Sequence, residues 1–194
     1  MAATRAGEHL DRVEVVSRSE LRAWLEQNHA SGRSVWLVTW KKHSPHYLPY
    51  PDMIQELLCW GWIDSKTRSV DADRTSVLVA PRNPKSAWSA INKAHVAEAR
   101  AAGLMADAGE ALIQAAKANG MWTFLDDVER LERPADLEAA LEHRVEGWEA
   151  WPRSVKRGTL EWIKTAKTEA TRTKRIANVV ASLDAGLRPS PFRR

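Results

Sequence analysis

Apolar positions recur at helical spacing first between Ser17 and His29, where Leu21, Trp24 and Leu25 form one stripe. Ser17 with Glu20 three positions on is a capping-box start, and Ser31-Gly32 ends the segment. Ser34 to Lys41 is an unbroken run of β-branched, aromatic and aliphatic residues, the pattern of a strand buried on both faces. His43 to Pro51 is a loop broken by three prolines. A helix follows with Met53, Ile54, Leu57 and Leu58 on its apolar side, stopped by Gly61 in the left-handed region. Trp62 to Val70 and Thr75 to Ala80 read as two strands of an antiparallel hairpin around the turn Asp71–Arg74. A helix capped by Ser86 is expected to carry Trp88, Ile91, Asn92 and His95, and another runs from Asp107 to Gly120. Further helices are expected near Pro134, from Ser154, and from the cap Thr168 to Gly186, the last with the stripe Ile176, Val179, Val180, Leu183.

Strands confined to the first half and helices alone in the second predict an α+β fold, with a small antiparallel sheet packed with a helical C-terminal half. The expected division is an α+β region over residues 1–130 and a helical region over 131–194, packed together as one unit. Met1 to Gly7 and Pro189 to Arg194 are expected to be loose ends.

Composition narrows the class. Apolar residues are 44% and charged ones 28%, so the chain can build a core and needs no staple. The one cysteine, Cys59, sits in an apolar run and reads as a small buried residue. Neither a signal-length apolar run at the N-terminus nor a membrane span is present, which points to the cytoplasm. A net charge of +4 is too small to demand a nucleic-acid partner. The basic cluster Lys164, Lys167, Arg172, Lys174, Arg175 reads first as a solvated helix face and second as a phosphate surface.

Tryptophan changes the picture: there are ten, against two Phe and two Tyr, so the chain has either an indole-rich core or an aromatic-lined pocket. No nucleophile elbow, phosphate-binding glycine loop or Cys-x-x-Cys is present, and the six His form no zinc pattern, so no cofactor or metal is expected. With a period of two, Trp62, Asp64, Lys66 and Arg68 share one strand face, and the hairpin brings Pro81-Arg82 toward Asp64. Trp88 and Asn92 lie four apart on one expected helix, so their side chains are neighbours, with Arg82, Lys85, Ser86 and Ser89 at the helix start, a setting that can hold an anion.

These segments also carry a resemblance. Trp24-Leu25 with Asn28-His29, Val35-Trp36-Leu37 with Lys41-Lys42, Leu58 to Ser65, Pro81-Arg82, and Ser86 to Asn92 follow one another in the order seen in the YdeI/OmpD-associated, or bacteriocin-protection, family. Pro152-Arg153-Ser154, Trp162-Ile163, Ala166-Lys167 and Thr171-Arg172 with Arg175-Ile176 extend the resemblance over nearly the whole chain. Trp60 departs from it, standing where the family more often has Phe. The resemblance implies protection against antimicrobial peptides but no reaction and no catalytic residue. The N-terminal half is also similar in element order to YdhG-like domains, some described as frataxin-like iron chaperones.

The leading expectation is therefore a non-catalytic protein that binds a small amphipathic or aromatic ligand, or a peptide, in support of stress or antimicrobial tolerance. Trp36, Trp60, Trp62 and Trp88 would wall the pocket, with Lys41, Asp64, Arg82 and Asn92 as polar contacts. Iron binding through Asp52 with Glu56, or Asp126-Asp127, is an alternative, as is an enzyme using Asp64 with Lys41 and Arg82.

Overall fold

A computed structural model describes residues 10–193, which fall into two compact units, 10–123 and 124–193. The expected loose end Met1–Gly7 lies outside the described residues, as does Arg194.

The first unit contains β1 (Arg12–Glu14), α1 (Arg18–Asn28), β2 (Val35–Trp40), α2 (Tyr50–Cys59), β3 (Trp62–Ser69), β4 (Arg74–Pro81), α3 (Ala90–Ala101) and α4 (Asp107–Ala118). The α+β class holds, with the four strands in the N-terminal half and helices afterwards. The sheet order is β1-β2-β4-β3, with β2–β4 and β3–β4 antiparallel. β1 adds a short parallel edge that the hydrophobic pattern does not foretell. At three residues it is too short to show alternation, and it is held by Trp36 N–H to Asp11 O (2.9 Å) and Val15 N–H to Val38 O (3.1 Å). β2 is thus flanked on both edges, and Val35 to Thr39 are buried throughout.

Ser17 caps α1 by accepting from Glu20 N–H, while the Glu20 carboxylate reaches back to Val16 N–H at 2.9 Å. The core lies where Leu21 and Leu25 of α1 and Ile54, Leu57 and Leu58 of α2 pack with Val35, Leu37, Val77 and Val79 of the sheet. α2 stops at Gly61, whose φ of 73° is left-handed. α4 crosses the end of α2 so closely that a Cβ on Gly109 would sit 2.3 Å from the Cys59 carbonyl oxygen.

Two local expectations are corrected. Asp64 pairs with Val79 but Thr67 pairs with Val77, so β3 takes three steps to two on β4. This bulge breaks the period of two. Trp62 and Asp64 stay on the side of Val79 and the helices, whereas Arg68 pairs with Ser76 and stacks over Trp36, its guanidinium 3.7 Å from the ring centre. The four residues therefore do not share a face. The second correction is at α3. Its cap is Ser89, which accepts from Asn92 N–H at 3.3 Å, not Ser86. Residues 83–86 are held in a turn instead, with Ser86 N–H on Asn83 O (2.9 Å). Trp88 precedes the helix and donates its backbone N–H to Met121 O (3.1 Å), so it does not stack on Asn92 along a helix.

The second unit contains α5 (Asp126–Glu129), α6 (Ala135–Leu141), α7 (Val145–Glu149), α8 (Arg153–Lys164) and α9 (Glu169–Asp184). Leu137, Leu141, Trp148, Leu160, Ile163 and Val179 are its buried side chains of note. Thr168 caps α9 as expected, accepting from Thr171 N–H at 3.2 Å. The tail from Pro189 is tied down rather than loose over the described residues. Asn178 Nδ2 donates to Ser190 Oγ (2.9 Å), and the Phe192 ring covers Gly158, where an added Cβ would lie 2.7 Å from it.

Candidate functional site

The tryptophans settle into separate contacts. Trp62 is wholly buried, donates Nε1–H to His29 O (3.0 Å) and meets Trp24 edge to face at 5.5 Å. Half-buried Trp60 donates Nε1–H to Glu56 Oε1 (3.3 Å) and lies against the His29 ring at 5.0 Å. Glu56 is fully buried on α2, and Arg18 Nε (2.8 Å) and Arg22 Nη1 (2.7 Å) from α1 close on its two oxygens. Trp36 is buried under Arg68. Trp88 is buried under Arg82 and packs on Trp122 at 5.1 Å.

The polar candidates are equally dispersed. Lys41 Nζ donates to Asp71 O (2.6 Å) and Ala72 O (3.0 Å), closing the β3–β4 turn. Asp64 accepts from the Tyr50 hydroxyl on α2. Asn92 sits in the first turn of α3. Of the eight expected site residues, Arg82 lies on Trp88, Trp60 and Trp62 both meet His29, and Asp64 shares a face of β3 with Trp62, while Trp36 is on the opposite face of the sheet, Lys41 closes the β3–β4 turn and Asn92 is on α3.

An open cleft of about 350 Å³ lies instead at the end of the sheet where β2 gives way to the proline loop. Thr39, Thr67, Thr75 and Val77 form its floor, Tyr50 and Met53 of α2 one wall, and Lys41, Lys42, Tyr47 and Leu48 the loop wall. Both tyrosines of the chain are here, and both are exposed, Tyr50 at 47%. Burial, and secondarily the bond to Asp64, push the Tyr50 phenol up to about 12, so near neutrality it is a hydrogen-bond donor and not a base. Lys41 links this cleft to the expected site, and Asp64 touches it through Tyr50. Sequence reasoning missed the tyrosines and threonines. Their signal was the confinement of both tyrosines to one proline-rich stretch, Tyr47 to Tyr50, beside a strand that ends in Thr39-Trp40.

Other candidates are occupied. Glu56 is taken by two arginines, and Asp127 accepts from Lys164 at 2.6 Å through both oxygens. No group of three or more His, Cys, Asp or Glu side chains that could hold a metal occurs among the described residues. In the C-terminal basic cluster, Arg172 pairs with Asp136 (2.6 Å), and Arg175 donates to Trp162 O and lies over the Trp162 ring at 5.2 Å. No described helix is long and apolar enough to cross a membrane.

No curated protein and no solved structure matches the chain. Two family models match, one in each half: Bacteriocin-protection, YdeI or OmpD-Associated covers residues 130–186, and Domain of unknown function (DUF8412) covers residues 13–112. The resemblance drawn from the sequence is thus sound, but it is carried by the C-terminal segment, while the N-terminal motifs that suggested it fall under the other model. With just over half of its length matched by that model, the chain belongs to the DUF8412 family and bears in its second unit a bacteriocin-protection, YdeI- or OmpD-associated segment.

Proposed function

We propose that the protein binds a small amphipathic or aromatic molecule, or a peptide side chain, in the cleft of the first unit. It acts without catalysing a reaction, and contributes to bacteriocin or stress tolerance by holding its ligand. The observation that carries this reading is the pair of exposed tyrosine rings in a cleft also lined by Thr39, Thr67 and Thr75. Rings offer faces to apolar or cationic groups, and hydroxyls offer directional polar contacts, in a volume within the ordinary range for ligand sites. Lys42, exposed at the mouth, adds a cation for an acidic group on the ligand. The link to tolerance rests on the description of the family model matched by the second unit. We place the activity in the cytoplasm, where a single buried thiol without a disulfide partner is at home.

Binding is tested by screening cationic peptides and aromatic antibiotics for a rise in Tm of the full chain and of a Tyr47→Ala/Tyr50→Ala variant. The reading expects at least one compound that stabilises the parent and loses its effect in the variant. Compounds that stabilise both equally, or none that stabilises either, overturn it.

A further inference from the structure

At the other end of β4, about seven residues and roughly 23 Å along the strand from the cleft, Arg82 presents a problem of charge. Its side chain is only 6% exposed, yet it has no carboxylate partner among the described residues. Its Nη2 donates to Ala87 O at 2.5 Å, and the guanidinium lies 4.2 Å from the Trp88 ring centre. Nε is sealed from solvent without a partner, while Nη1 makes no hydrogen bond and is not sealed. A buried charge is ordinarily paired, because desolvation costs several kcal/mol. One carbonyl and one ring face compensate only part of that cost. Burial lowers Arg82 to about 10, which still leaves it charged near neutrality.

Two lysines lie close to the same rings. Lys93 and Lys117 stand over Trp122, at 5.5 and 5.7 Å, and Trp122 packs on Trp88. α3 begins at Ala90, so its positive end adjoins the same pair of rings.

From this we infer that the open Nη edge of Arg82, between the Trp88–Trp122 pair and the start of α3, is a binding site for the oxyanion of a small ligand, a phosphate or a carboxylate. The guanidinium is pre-set by Trp88 and Ala87, so a ligand oxygen meets a donor already held in place. The site is independent of the cleft and does not rest on the tyrosine reading.

The test uses the full chain at fixed ionic strength, with chloride replaced stepwise by inorganic phosphate in one arm and by acetate in another. Arginine Nε–Hε and indole N–H resonances are followed by NMR, and Tm by circular dichroism. The site predicts a saturable shift of the Arg82 and Trp88 signals in at least one arm. It also predicts a Tm rise of roughly 3–6 °C at ten times the dissociation constant, and the arm that saturates first identifies the oxyanion. Arg82→Met, which keeps the stem on Trp88 and removes the charge, should lose the anion-dependent rise. Absence of any saturable shift in the parent sinks the inference even if the variant fails to fold, and an equal Tm rise in a folded Arg82→Met does the same.

Discussion

Glu56→Gln probes the contact on which the join of α1 to α2 depends. The carboxylate is wholly buried and accepts Arg18 Nε at 2.8 Å, Arg22 Nη1 at 2.7 Å and Trp60 Nε1 at 3.3 Å. Gln fills the same space but carries no charge, and its NH2 must face an arginine donor. Removing one side of a buried, hydrogen-bonded charge pair costs about 3–5 kcal/mol. Arg18 and Arg22 are 31% and 36% exposed, so water recovers part of their solvation. The expected loss is therefore about 2–3 kcal/mol. The assay is urea unfolding of the full chain. Cys59, the one thiol in the sequence, lies at the end of α2, so its reaction with a thiol reagent reports unfolding of the first unit alone. Burial, and then the Glu56 charge, push that thiol up to about 11, so it stays unreactive until the unit opens. In Arg18→Met/Glu56→Gln the losses should be less than additive. A Glu56→Gln unfolding free energy within about 0.5 kcal/mol of the parent would refute the argument that the charge, and not the shape, holds the helices.

Trp62→Phe should cost about 2–4 kcal/mol through a cavity and an unpaired His29 carbonyl, read in the same urea series. Gly109→Ala should prevent α4 from seating on α2, with loss of native circular dichroism or a drop in Tm above roughly 5 °C, because the added carbon meets backbone rather than a movable side chain. Asp64→Asn should lower the Tyr50 phenol from about 12 toward, but not to, its ordinary value, since burial remains the larger cause. The sign for stability follows: Tyr50 favours the folded state below its unfolded value near 10, and that contribution fades as pH rises through about 12. Ultraviolet titration of tyrosinate checks both statements.

Much of the fold was legible because its periodic segments were long. The β2 run, the α2 stripe with Gly61, and the caps Ser17 and Thr168 each declared their elements from local chemistry. What stayed hidden depended on pairing. β1 owes its existence to the free edge of β2, and the β3 bulge is a mismatch between two strands that neither shows alone. The same holds at the site. Aromatic content drew attention to tryptophans; Trp62 and Trp88 find space and partners inside the unit, whereas Trp40 lines the cleft. The cleft is lined by Trp40 and both tyrosines together with threonines of β2, β3 and β4, and only the sheet register brings Thr39, Thr67 and Thr75 together. Arg82 with Trp88 is one part of the expected site that did assemble, through a turn before α3 and not along the helix.

The claim that matters most is that ligand enters at the two tyrosines. Amide shift mapping of the full chain with a compound that raises its Tm addresses this directly. The account predicts the largest perturbations at Thr39 to Lys42, Tyr47 to Met53, Thr67 and Thr75. Perturbations centred on the second unit, or spread evenly over the chain, would contradict it.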